Sequence, residues 1–342
     1  MEKHVFHYDG PFELEKGGHL PSLTIAYHTL GTLNAARDNV VWICHAFTAN
    51  SDVSDWWGGM VGEGKIFDPR HHFIICANIL GSCYGTTGPL SINPETSAPW
   101  YHDFPEVTVR DMIRAHELLR RHLDIKKIFV VTGGSIGGFQ ALEWSIMNPD
   151  LFINLVLIAT SAYASPWAIA FNESQRMAIE ADPSYKERKE TAGLNGMKVA
   201  RSIALLSYRN YQTYTMTQSE DNDEKLDNYK ATTYQQYQGE KLARRFNAYS
   251  YYKLTKALDT HNIARGRGTQ EEVLGGIKAN ALVIGISTDI LFPVEEQKFM
   301  AYHIPSARYI EVDSKYGHDG FLIEISKLTR ILRNNLKKTE KV

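Results

Sequence analysis

Along the 342-residue chain, short unbroken apolar runs alternate with stretches in which apolar residues recur every three or four positions. Residues 40–44, 73–77, 128–131, 155–158 and 281–284 are runs of the first kind, rich in Val and Ile. Runs without polar alternation predict strands covered on both faces, the situation of a parallel sheet. Between them, residues 108–123 set Val109, Met112, Ile113, His116, Leu118 and Leu119 roughly at helical spacing. Strand–helix alternation of this kind predicts an α/β fold, with a mostly parallel central sheet and helices on both faces.

From about residue 166 to 267 the pattern changes. This stretch holds more than half of the 18 tyrosines and many charges, and it lacks buried-strand runs. Segments 197–206 and 239–246 favour helix, and the strand pattern returns at Ala281. The chain therefore reads as a core in two parts, 1–165 and 273–342, interrupted by an inserted helical cap over 166–272. Residues 321–336 are expected to form one last amphipathic helix.

Composition narrows the function classes. With 43% hydrophobic residues, 22% charged residues and a formal net charge of −2, the chain has the profile of a soluble globular protein. No nucleic-acid or membrane partner is expected. No apolar run is long enough to span a bilayer, and the charged, His-containing start lacks the apolar stretch of a signal peptide. Cys44, Cys76 and Cys83 show neither a disulfide framework nor a zinc spacing. A cytoplasmic protein is expected, in which the sequon at Asn172 is a decoy. No metal is expected, since the pair His71-His72 lacks a third ligand at useful spacing. The run from Gly59 to Lys65 has the spacing of a phosphate loop, but it continues into Ile66, which has no hydroxyl for Mg²⁺.

The sharpest chemical signal lies where the apolar run at 128–132 meets Gly133-Gly134-Ser135-Ile136-Gly137-Gly138, followed by helical composition over 139–144. Strand, turn and helix in that order are the context that a Gly-x-Ser-x-Gly nucleophile turn requires. The serine sits there in a strained backbone, and side chains two positions before and after it would collide with the neighbouring strand and helix. Such a turn projects the Ser135 hydroxyl above the sheet edge. It also leaves the Ile136 amide at a helix N-terminus, where developing negative charge is stabilised. A glycine-rich turn with an incidental serine is the alternative; the flanks and two further glycines favour the nucleophile.

A serine hydroxyl is a poor nucleophile unless a histidine takes its proton and a carboxylate fixes that histidine. In this layout the chain order is nucleophile, acid, histidine. His303 and His318 follow the insertion. His303 falls at an apparent helix end, whereas His318 lies in a glycine-bounded loop after the strand expected at 308–312. For the acid, Asp289 follows the strand at 281–286 by a short turn; the rival, Asp313, ends the strand that leads to His318. Ser135, Asp289 and His318 are the expected triad. The strand at 40–44 ends in His45-Ala46-Phe47-Thr48, which makes the Phe47 amide the second oxyanion donor.

The same segments carry a family resemblance. The turn and its helix (GGSIGGFQALEW, 133–144), HAFT at 45–48, WWGGMVG at 56–62, NILGSCYGTTGP at 78–89, SINP at 91–94 and DFPEVTVRDM at 103–112 resemble the homoserine O-acetyltransferase family of α/β-hydrolase-fold acyltransferases. YQGEK at 237–241, ARGRG at 264–268, DILFP at 289–293 and YGHD at 316–319 are similar to that family as well. The matches run in order over most of the chain.

The resemblance implies an α/β-hydrolase fold and a two-step transfer. Ser135 would take an acetyl group from acetyl-CoA, a co-substrate, with no bound cofactor. It would then pass the group to L-homoserine, giving O-acetyl-L-homoserine for methionine biosynthesis. It also implies that Arg201 and Tyr208 hold the homoserine carboxylate, that Asp319 receives its ammonium group, and that the protein is a homodimer. Arg201 could equally be a solvated helix charge, and Asp319 a helix cap. The chain departs from the commonest family pattern at Phe47, Ala49 and Ile136, where leucine, glycine and methionine are usual. These positions line the acyl pocket. A succinyl donor, an L-serine acceptor and a plain serine carboxylesterase therefore remain alternatives.

Overall fold

Unbroken burial of apolar runs organises the centre of the molecule. The computed structural model describes residues 1–337, and eight strands form its main sheet: β1 (Glu2–Tyr8), β2 (Leu23–Leu30), β3 (Val40–Cys44), β4 (Phe73–Ala77), β5 (Ile128–Gly134), β6 (Phe152–Ile158), β7 (Asn280–Ile286) and β8 (Arg308–Val312). Their spatial order is β1-β2-β4-β3-β5-β6-β7-β8. Strands β3 to β8 are parallel, while β2 runs antiparallel to both β1 and β4. The five predicted runs are the central strands β3 to β7. The edge strand β1 escapes prediction because it alternates exposed and half-buried residues and has no apolar run.

Alternate residues along each central strand face two separate cores. Trp42, Val131, Leu155 and Val283 belong to one, while Val41, Val130, Val156 and Leu282 belong to the other. Helices cover both faces. The first core is closed by α1 (Val109–His122) and α2 (Ile136–Met147). Helix α1 begins with a reciprocal cap between Thr108 and Asp111, which satisfies backbone donors at both positions.

Between the adjacent strands β6 and β7, the chain leaves the sheet for α3 (Pro166–Glu180), α4 (Leu194–Tyr208), α5 (Tyr211–Gln218), α6 (Lys230–Ala243) and α7 (Ala248–Asp259). Its outgoing and returning segments pair as a short antiparallel neck. The Ala164 amide donates to the His261 carbonyl at 2.8 Å, the Ile263 amide donates to the Ala162 carbonyl at 3.2 Å, and Tyr163 faces Asn262. Then α8 (Gln270–Gly275) leads into β7, and α9 (Val294–His303) joins β7 to β8.

Two expected helices differ in detail. The segment 239–246 is the end of α6 plus a turn, because Asn247 caps α7 through the Ser250 amide and so starts a new helix. The expected helix at 321–336 is two helices, α10 (Gly320–Ile323) and α11 (Ile325–Asn335), broken at Glu324. Past the break, Ile325 packs so closely on Gly59 that a Cβ there would come within 2.7 Å of it. Among the described residues, no helix is long and apolar enough to cross a membrane.

Candidate active site

Ser135 joins β5 to α2 with φ 59° and ψ −130°, a conformation that costs about 1–3 kcal/mol in a non-glycine residue and persists only where its surroundings enforce it. Those surroundings are identifiable. The Ser135 amide donates to the Ile158 carbonyl on β6, and the Ser135 carbonyl accepts from the Thr160 hydroxyl at 2.8 Å. The flanking glycines are steric necessities. A Cβ on Gly133 would stand 2.3 Å from the Gly137 carbonyl carbon, and one on Gly137 would stand 2.2 Å from the Cys44 carbonyl oxygen at the end of β3. The half-buried Ser135 therefore presents its hydroxyl at the N-terminus of α2, where the helix dipole favours negative charge.

Asp289, in the turn after β7, is fixed by backbone donors. Its Oδ1 accepts from the Leu291 and Phe292 amides at 2.8 and 2.9 Å. Its Oδ2 lies 2.6 Å from His318 Nδ1. A carboxylate at Nδ1 keeps the proton on that nitrogen and leaves Nε2 free to act as a base. Burial of His318 works against its charged form, but the Asp289 carboxylate and, less strongly, Asp319 outweigh it, so the pKa lies above the ordinary value. Asp313 does not share this role; the Ser287 hydroxyl donates to it, 3.4 Å away. His303 ends α9 and packs on Phe299, with ring centroids 4.6 Å apart.

A cavity of about 410 Å³ is lined by Ser135, His318, Phe47, Arg201, Tyr208 and Asp319, among others. Six of the eight residues expected from sequence thus share one cavity, and a seventh, Asp289, joins them through His318. The eighth, Ile136, lines a much smaller adjoining cavity with Ser135, Phe47, Phe139, Phe171 and Phe292. Neither the Phe47 nor the Ile136 amide donates to a backbone acceptor among the described residues. Across the larger cavity, the Arg201 guanidinium lies over the Tyr208 ring at 5.3 Å, and the Tyr208 and His318 rings are 5.8 Å apart. Burial pushes the Tyr208 pKa up, so its hydroxyl stays protonated as a donor.

Asp319 is not a lone carboxylate. Its Oδ2 lies 2.8 Å from Arg209 Nε, and its pKa is raised by burial, which outweighs the opposing pull of Arg209, His318 and Arg201. Sequence reasoning missed Arg209. Adjacency to Tyr208 is the only signal in the sequence, because its partner lies more than a hundred residues away. Arg245, in the turn between α6 and α7, was missed too; it lines the same cavity and bonds the Thr48 carbonyl at 2.5 Å.

A profile of the α/β-hydrolase fold matches residues 39–324. The chain is 47% identical over 334 residues to a homoserine O-acetyltransferase of Cyclobacterium marinum, covering 98% of this chain and 95% of that one. Among solved structures, homoserine O-acetyltransferase from Bacillus anthracis superposes with a TM-score of 0.89 at 26% identity, covering 100% of this chain and 99% of that one. Esterase E22 superposes with a TM-score of 0.90 at 24% identity, over 98% of this chain and 100% of that one, a likeness of fold alone.

Proposed function

The chain belongs to the homoserine O-acetyltransferase family of the α/β-hydrolase fold, and we propose that it moves an acetyl group from acetyl-CoA, by way of Ser135, to the hydroxyl of L-homoserine. In the first half-reaction Ser135 Oγ attacks the thioester carbonyl while His318 Nε2 takes its proton. The Phe47 and Ile136 amides stabilise the oxyanion. Collapse expels the CoA thiolate, which takes the proton from His318 and leaves an acetyl ester on Ser135. In the second half-reaction His318 removes the proton from the homoserine hydroxyl as that oxygen attacks the ester, and then returns it to the departing Ser135 Oγ. Asp289 holds the tautomer and stabilises the imidazolium in both halves.

The observation that carries this reading is the cavity that Ser135 shares with Arg201, Tyr208 and Asp319. A guanidinium and a phenol suit a carboxylate, and a carboxylate suits an ammonium group. A carboxylesterase needs no such receptor beside its nucleophile. An acceptor oriented in this way can outcompete water by several orders of magnitude, which is what transfer demands. The donor is read as acetyl because the small cavity beside Ser135 has no charged lining residue, so a succinyl carboxylate would be buried there unpaired.

Three coarser features complete the reading. The segment 166–272 acts as a cap over the nucleophile. The protein works in the cytoplasm. It is a homodimer joined through helices of that segment, which expose Val199, Leu206, Tyr211 and Met216; light scattering tests the dimer.

The decisive experiment is an activity matrix of acetyl-CoA and succinyl-CoA against L-homoserine, L-serine and water. Rapid transfer is expected only for acetyl-CoA with L-homoserine. Ester hydrolysis that L-homoserine does not alter would turn the reading into an esterase. Ser135→Ala should abolish the acetyl-enzyme seen by mass spectrometry, and a variant with near-native transfer would overturn the mechanism.

A further inference from the structure

Phe47 lies outside any helix or strand, so nothing in regular structure aims its amide at the oxyanion. The orientation has to come from elsewhere. In a trans peptide the carbonyl and the following N–H point in opposite directions, and the chain contains no cis peptide among its described residues. Whatever holds the Ala46 carbonyl therefore also aims the Phe47 N–H.

The Ala46 carbonyl has two partners. His45 Nδ1 lies 2.8 Å from it, and the Ala49 amide donates to it at 3.0 Å. The imidazole is itself locked. The Ile79 amide, which can only donate, meets His45 Nε2 at 3.0 Å. Nε2 must then be the unprotonated nitrogen, and Nδ1 carries the hydrogen given to Ala46. The His45 backbone is held as well, since its carbonyl accepts from Gln140 Nε2 on α2 at 3.1 Å, and Gln140 Oε1 meets His116 Nε2 at 3.1 Å. His45 and Gln140 are fully buried. Burial pushes the His45 pKa down to about 4, so the ring stays neutral near pH 7.

The far side of the loop has a separate hold. Arg245 Nη1 donates to the Thr48 carbonyl at 2.5 Å and also bonds the Tyr84 hydroxyl. The guanidinium comes from the helical insertion, and the loop belongs to the sheet. We propose that His45 and Arg245 are positioning residues, which clamp the loop of residues 46–49 from below and from outside so that the Phe47 N–H faces the oxyanion. The inference rests on the acetyl-Ser135 mechanism proposed above. Neither side chain touches the reacting atoms in this role.

The test reads the oxyanion hole directly. Acetyl-Ser135 is accumulated with ¹³C-labelled acetyl-CoA in the absence of homoserine, and its carbonyl stretch is measured by infrared difference spectroscopy. In His45→Phe, which keeps a ring but loses both bonds, the band is expected at higher wavenumber than in the wild type. Its kcat should fall at least about tenfold with little change in KM, since a misdirected oxyanion donor acts on the transition state. His45→Gln retains one donor and one acceptor and should recover part of both effects. Arg245→Gln, at an exposed side chain that tolerates replacement, should shift the band in the same direction by less.

Wild-type band positions in folded His45→Phe and Arg245→Gln would overturn the proposal. If His45→Phe does not fold, an unshifted band in Arg245→Gln overturns it by itself. Absence of any acetyl-Ser135 band in the wild type would instead overturn the acetyl-enzyme mechanism, and this inference with it.

Discussion

Around Ser135, four glycines leave no room for a single added carbon, whereas across the cavity Arg209, at the end of α4, holds Asp319 through side chains alone, and Arg201 and Tyr208 of the same helix line the space beside it. A Cβ on Gly134 would stand 2.3 Å from the Phe321 ring, and one on Gly138 would stand 2.5 Å from Thr160. On the other side, one ion pair at 2.8 Å and one cation–ring contact at 5.3 Å hold the group together. Backbone sterics cannot be adjusted by degrees, because a carbon either fits or displaces its neighbours. Side-chain electrostatics can be, because an arginine or a carboxylate can be shortened, neutralised or re-paired at modest cost. The same contrast divides the chemistry. In the mechanism proposed above, the rigid side bears the bond-making atom and the adjustable side selects the acceptor.

Substitutions on the two sides should separate accordingly. Gly137→Ala drives a methyl into the Cys44 carbonyl and should have the largest effect, with activity lost and the melting temperature lowered; a stable, active variant would break the contrast. Asp289→Asn should come next, lowering kcat by about 10³–10⁴-fold through the wrong tautomer. It should also move the pH profile. In the proposed mechanism activity requires neutral His318 and should be lost as pH falls through its raised pKa. Without the Asp289 charge, burial dominates, so the acid limb of kcat against pH should shift to lower pH.

On the adjustable side, Arg201→Lys keeps the charge but loses the fork, and the homoserine KM should rise about 10- to 100-fold, more than the acetyl-CoA KM. Arg209→Gln should act more weakly still. It frees Asp319 from its resident cation, and a few-fold change in homoserine KM is expected from steady-state kinetics. An Arg209 effect as large as that of Asp289→Asn would show that the rim is as unforgiving as the turn.

The legible parts of the sequence were those in which local pattern and tertiary role coincide. Strands β3 to β7 are buried on both faces, so their apolar runs declare them, and the order of Ser135, Asp289 and His318 along the chain follows from strand order. Strand β1 was illegible because half-burial at a sheet edge leaves only alternation, and its residues include Lys3, His4 and His7. The break at Glu324 was equally hidden, since neither Gly nor Pro marks it. Arg209 and Arg245 were out of reach for a different reason. Their partners, Asp319 and Thr48, are set by how the insertion lies on the sheet, a relation that no local spacing encodes.

The antiparallel neck at residues 162–164 and 261–263 makes the helical excursion a loop closed at its base, in the sense that matters for exchange between proteins. Its two ends leave the sheet side by side, between strands that are already neighbours. A segment of another length could replace it without changing the register of any strand, provided its own ends can pair in the same way, because the entropy of closing a longer loop grows only slowly. Chimaeras cut at the neck would carry Arg201, Tyr208 and Arg209 with the excursion and leave Ser135, His318 and Asp319 on the sheet, so they divide the proposed acceptor site between two exchangeable parts.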